Sequence, residues 1–105
     1  MKINYETIRK FLIQNPPFLF IDEAEIIDEH TIISTFNLTN NTEILKGHFP
    51  NFPILPAVIA IEIMAQTGLL FNAVKTNTIS GDYIAYFVKL ESFNFKNFII
   101  PPAEI

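Results

Sequence analysis

The chain contains no cysteine, which excludes disulfides and any thiol nucleophile and leaves the redox compartment open. Basic residues are also scarce. The seven of them, Lys2, Arg9, Lys10, Lys46, Lys75, Lys89 and Lys96, are scattered against eleven acidic residues, for a formal net charge of −4. No cationic stripe can form from that spacing, so nucleic-acid binding is excluded as an expectation. Histidine occurs only twice, as His30 and His48, and no cluster of metal-ligating residues is evident. The N-terminal residues 1–6 lack the unbroken apolar core of a secretion signal, and a cytoplasmic location is expected. Internal repeats, low-complexity tracts and interdomain linkers are absent too, so residues 1–105 read as one domain.

Apolar side chains, by contrast, make up 50% of the chain, and Phe alone occurs 11 times. A domain of this size hides roughly two thirds of its unfolded surface, enough for a core with little margin. So many large rings need a shared interior or a second subunit to cover them, which points to oligomerisation.

Local signals divide the chain into elements. Asn4 is placed to cap a short helix beginning near Tyr5, with Ile3 stapled onto Ile8, Glu6 in the first turn and Ile8, Phe11 and Leu12 on one side. Pro16 and Pro17 are expected to stop it. Residues 18–27, rich in Phe and Ile, and the alternating run 31–38 predict an antiparallel hairpin around a turn at Asp28, Glu29 and His30. Residues 39–42 read as a loop and 43–46 as a single helical turn. A central helix follows, then a polar loop over 75–82 and a half-exposed strand over 83–100. Pro101 and Pro102 are expected to interrupt pairing close to the end.

Residues 47–56, Gly-His-Phe-Pro-Asn-Phe-Pro-Ile-Leu-Pro, carry the strongest chemical signal. Pro50, Pro53 and Pro56 recur at every third position, each fixing its own φ and extending the residue before it. The loop so formed has little freedom, and it would hold the His48 imidazole nearly fixed. Positioning matters, because an error of about 1 Å in a catalytic group can cost ~100-fold in rate. An unperturbed histidine titrates near pH ~6.5, which suits it to proton abstraction. A packed or solvent-facing side chain is the alternative for His48, and His30 reads as a surface residue of its turn.

Pro56 is expected to open the central helix, leaving the amides of Ala57 and Val58 without intrahelical acceptors. Together with the positive end of the helix, those amides form a candidate oxyanion site. Apolar residues cover nearly every direction of the helix, and Glu62 and Gln66, at i and i+4, form one polar seam. A helix so apolar is expected to be enclosed. At near membrane-spanning length it is read as a buried core helix, because Glu62 and Gln66 interrupt it and prolines lead into it. A carboxyl enclosed among aliphatic side chains keeps its proton and serves as a general acid; the alternative is a Glu62 facing water or paired with Gln66. Gln66 is expected to orient Glu62 or to bond backbone.

Residues 47–66 resemble the signature of the hot-dog-fold β-hydroxyacyl-acyl-carrier-protein dehydratases. Asn15-Pro16-Pro17-Phe18-Leu19-Phe20-Ile21-Asp22 is similar to the family's Pro-Phe-Leu-Leu-Val-Asp segment. Residues from Tyr86 through Phe95 to Pro101 resemble its strand after the helix. The resemblance implies an α+β hot-dog fold, with a long central helix wrapped by a curved antiparallel sheet and two subunits pairing around shared sites. It assigns His48 the proton alpha to a thioester, and Glu62 of the other subunit the protonation of the departing β-hydroxyl. Pro50 and Pro56 support that constellation. The substrate implied is a 3-hydroxyacyl group on the phosphopantetheine arm of acyl carrier protein, with no metal or redox cofactor.

Some positions depart from the family pattern. Ala57 stands where glycine is common, Glu23 where a basic residue often follows the aspartate, and Ser92, Asn94 and Asn97 thin a region usually richer in Lys and Arg. The family also continues past the position of Pro101 into further strands, so the chain is expected to lack the last strands and to expose apolar surface. A hot-dog thioesterase, or a noncatalytic acyl or carrier-protein binding subunit that pairs with a complete relative, is the alternative to a dehydratase.

Overall fold

A computed structural model of the chain describes residues 1–39, 45, 54–77, 99–101 and 103–105. Several expectations lie outside these residues: the proline-fixed loop with His48 and Pro50, the loop after Thr39, most of the 43–46 turn, and nearly all of the strand expected over 83–100.

β1 (Lys2–Ile3) leads directly into α1 (Tyr5–Phe11). Asn4 caps this helix as expected, its Oδ1 accepting the Thr7 amide at 2.9 Å. The helix ends at Phe11, well before the prolines, and the Leu12 amide closes it onto the Ile8 carbonyl at 3.0 Å. The stop is therefore set by Leu12 turning to extended geometry rather than by a missing proline amide. The bond between Pro16 and Pro17 is cis.

β2 (Glu23–Asp28) and β3 (Thr31–Thr35) form the expected antiparallel hairpin, and β1 pairs with the other edge of β2 in the order β1-β2-β3. Asp28 Oδ1 accepts the His30 amide at 2.8 Å and so closes the turn, with a register shift between Ile26 and Asp28. Residues 18–22 are not strand, despite their strand-forming composition. Part of their backbone bonding is taken by a side chain of the central helix, described below.

β4 (Asn37–Leu38) pairs with β5 (Ala103–Glu104). Residues 99–101 lie outside any strand, in line with the interruption expected at the proline pair. Immediately beyond it the chain forms a strand, and reciprocal bonds between Phe36 and Ile105, at 3.0 and 2.9 Å, extend the ladder. The Leu55 amide meets the Ile99 carbonyl at 2.8 Å and brings the approach to the central helix beside this region.

α2 (Ala57–Thr76) is the long central helix; it packs on β3 and α1. It continues past Lys75, where a loop was expected, and ends at Asn77, whose left-handed conformation (φ 53°, ψ 40°) lets its amide reach the Ala73 and Val74 carbonyls. Length and composition would suffice for a membrane span. Its packing is that of a core helix with one buried stripe: Ile59, Ile63, Gln66, Leu70 and Ala73, one helical turn apart. The full enclosure expected from its composition does not hold among the described residues, since Val58 and Met64 point outward.

The stripe serves two apolar clusters. Ile59 and Ile63 pack with Phe20, Phe36, Leu38, Leu45 and Leu55, whereas Leu70 packs with Ile3, Ile8, Leu12, Leu19, Ile21 and Ala24. Gln66 sits on the stripe between the two sets of contacts. The described strands are antiparallel and accompany one long helix, an α+β arrangement as expected.

Candidate active site on the central helix

Gln66 is the one polar side chain in the buried core of the described residues, with 0% of its surface exposed. Burial of an amide requires partners for its oxygen and its nitrogen, and both find them. Oε1 accepts the Phe20 amide at 2.9 Å, and Nε2 donates to the Phe18 carbonyl at 3.0 Å. Nε2 also donates to Glu62 Oε2 at 3.0 Å, one helical turn back. The helix thus presents a carboxyl whose position is tied, through one amide, to the segment that enters the sheet.

Glu62 is half-buried, at the edge of the stripe rather than enclosed among aliphatic side chains. The seam expected from the i, i+4 spacing is real as a hydrogen bond, but its two members differ in setting: Gln66 faces the core and Glu62 its margin. Beside them the Phe18 and Phe20 rings meet edge to face, with centroids 5.0 Å apart and planes at 67°, and Phe20 meets Phe36 similarly at 5.6 Å and 86°. Phe18 keeps 43% of its surface exposed, so this aromatic row has one open end.

At the start of α2, Pro56 occupies the N-cap with φ −57° and ψ 134°, directly ahead of Ala57, and provides no side-chain cap. Its carbonyl receives the amides of Ile59 at 2.9 Å and Ala60 at 3.3 Å. Among the described residues no hydrogen bond engages the amides of Ala57 and Val58, and both residues are exposed. These are the groups a helix start leaves free to meet a negative charge.

The described residues bring Glu62 and Gln66 together and set Ala57 and Val58 at the head of the same helix; His48 and Pro50 lie outside them. Sequence reasoning missed the Phe18 carbonyl and Phe20 amide as partners of the site. Backbone groups carry no sequence signal, although a core glutamine must find partners of this kind. Among the described residues no group of three or more His, Cys, Asp or Glu side chains could hold a metal ion. A surface depression of about 470 Å³ over β1, β2 and β3 carries Lys2, Glu23 and Glu25, and no expected site residue lines it.

Comparisons with known proteins agree with this architecture. Residues 24–105 match the ApeI-like family, described as ApeI dehydratase. The chain is 39% identical over 106 residues to an uncharacterised thioester dehydrase of Halalkalibacterium halodurans, covering 99% of this chain and 67% of that protein. It is 38% identical over 96 residues to the 3-hydroxyacyl-acyl-carrier-protein dehydratase FabZ of Saccharophagus degradans, covering 90% of this chain and 66% of that one. The FabZ of Polynucleobacter asymbioticus is 35% identical over 100 residues, covering 94% of this chain and 66% of its own length. The chain therefore spans about two thirds of the length of the curated relatives it matches. With its antiparallel strands set against one long helix, the chain belongs to the ApeI-like dehydratase family of the hot-dog fold.

Proposed function

We propose that the chain dehydrates 3-hydroxyacyl thioesters carried on the phosphopantetheine arm of acyl carrier protein, giving trans-2-enoyl thioesters and water in fatty-acid or related acyl synthesis. One observation carries the reading: a half-buried glutamate on the central helix whose carboxyl is held in place by a buried amide. A carboxyl fixed in this way can deliver a proton to a leaving hydroxyl without first being ordered.

In this reading His48 removes the proton alpha to the thioester carbonyl. The amides of Ala57 and Val58 receive the negative charge that collects on the carbonyl oxygen, aided by the positive end of α2. Glu62, from a second copy of the chain, protonates the β-hydroxyl as it departs. Pro50 and Pro56 stiffen the approach to the site. The working unit is a homodimer or an assembly of dimers in the cytoplasm, and the chemistry calls for no metal or redox cofactor.

The experiment is direct. The purified chain is mixed with a 3-hydroxyacyl thioester and the conjugated enoyl absorbance is followed, with His48→Ala and Glu62→Gln as controls. Each substitution is expected to lower turnover by about 100- to 10,000-fold, the usual contribution of a positioned acid or base. Turnover insensitive to both substitutions, or none at all, sinks the dehydratase reading. Release of free thiol without enoyl product would identify a thioesterase instead.

A further inference from the structure

We infer that Gln66 is a positioning residue that fixes the acidic proton of Glu62 on Oε1, making Oε1 the atom that delivers it. The consequence for turnover rests on the dehydratase reading; the hydrogen-bond assignment does not.

The two ends of a glutamine amide look alike, and their order is decided by their partners. Here two backbone groups decide it. The Phe20 amide can only donate, so it must face Oε1, 2.9 Å away; the Phe18 carbonyl can only accept, so it must face Nε2, 3.0 Å away. A flipped amide would set two donors against each other and two acceptors against each other in a site with no exposed surface on Gln66. Nε2 therefore also faces Glu62, and its second hydrogen goes to Oε2 at 3.0 Å.

That contact makes the two carboxyl oxygens unequal. In a carboxylic acid the carbonyl-type oxygen is the better acceptor and the hydroxyl oxygen is the donor. With Oε2 engaged as acceptor, the hydrogen resides on Oε1. As the substrate Cα–H bond breaks, its electrons form the Cα=Cβ bond and its proton goes to His48. The Cβ–O bond breaks with its pair on oxygen, which takes the Oε1 proton and leaves as water. Glu62 is left as a carboxylate, and the Gln66 N–H bond to Oε2 becomes charge-assisted and stronger. Return of the proton from His48 through solvent to Glu62 resets the site.

The Gln66 side-chain resonances of the chain, labelled with nitrogen-15, test the assignment without any substrate. They are expected to move in an acid titration as Glu62 takes up its proton, and to lose that response in Glu62→Gln. Resonances that stay still in the wild type, or move equally in both proteins, overturn the inference. In turnover, Gln66→Glu keeps an acceptor for the Phe20 amide but leaves at most one hydrogen where the amide has two. Its kcat is expected to fall about tenfold to a hundredfold with KM little changed, the size expected when a hydrogen bond to a charged group is lost. A folded Gln66→Glu with wild-type kcat overturns the inference too. A wild-type chain without turnover sinks the dehydratase reading alone, and the titration then decides for Gln66 by itself.

Discussion

Ser34 Oγ and Thr67 Oγ1 stand 2.6 Å apart and join β3 to the central helix. The direction of that bond follows from a second one. Thr67 Oγ1 also lies 2.8 Å from the Ile63 carbonyl, and a hydroxyl has a single hydrogen, so Thr67 donates to Ile63 and accepts from Ser34. The two partners are thus not equivalent. Thr67→Val strands the Ser34 hydrogen in a part-buried site and is expected to cost about 1–2 kcal/mol, whereas Ser34→Ala strands no donor and costs ~0.5–1 kcal/mol. The double variant loses less than the sum. Urea unfolding of all four proteins measures the difference as a coupling energy.

Asp22 clamps the bend between β3 and β4 with both its backbone amide and its side-chain carboxylate. Its amide donates to the Thr35 carbonyl at 2.7 Å, and its Oδ2 accepts the Asn37 amide at 2.7 Å. Asp22→Ala removes the carboxylate that accepts the Asn37 amide and is expected to cost about 1 kcal/mol. In a domain of this size the melting temperature falls by about 4–8 °C for that loss. Asp22→Asn keeps an oxygen in the same place and loses less. Thermal unfolding followed by circular dichroism orders wild type, Asn and Ala, and an Ala variant melting with the wild type would remove the clamp from the account.

What the sequence made legible was local. The Asn4 cap, the 28–30 turn and the β2–β3 hairpin depend on neighbours within a few residues, and each is where spacing put it. β1 and β5 are two residues long, too short for alternation to register, and exist because a partner strand offers a ladder. Residues 18–22 have the composition of a strand, yet Phe18 and Phe20 bond to Gln66, 48 and 46 residues away. The site divides along the same line. The Glu62 and Gln66 pairing was readable from i, i+4 spacing, but not that Gln66 is the buried member, since only packing reveals which helical stripe faces inward. His48 lies outside the described residues, so its partnership with Glu62 rests on the sequence resemblance and on the turnover experiment.

Gly68 offers a site for stabilisation without repacking. It lies inside α2 and is itself exposed, and among the described residues a methyl group built at its Cα would meet nothing within 4 Å. Glycine inside a helix is less favourable than alanine by ~0.8–1 kcal/mol, because the unfolded chain gives up more freedom. Gly68→Ala is therefore expected to raise the stability by about that amount. The same substitution should leave turnover unchanged, since Gly68 is not among the hydrogen-bond partners of Glu62 or Gln66. Loss of stability would mean that another surface occupies that space.

Leu70 and Met64 separate core from surface on one helix. Leu70 has no exposed surface and packs among Ile3, Ile8, Leu12, Leu19, Ile21 and Ala24, whereas Met64 is 51% exposed. Leu70→Ala removes both transfer energy and packing partners, and is expected to cost about 2–5 kcal/mol. Against a total stability on the order of 5–15 kcal/mol for a small domain, that loss brings the unfolding transition close to native conditions. Met64→Ala should stay within ~0.5 kcal/mol if water is what that face meets. Denaturant unfolding across a range of protein concentrations therefore does more than rank two sites. A Met64→Ala penalty approaching that of Leu70→Ala, and growing with concentration, would mean that this face of α2 is covered by a second copy of the chain.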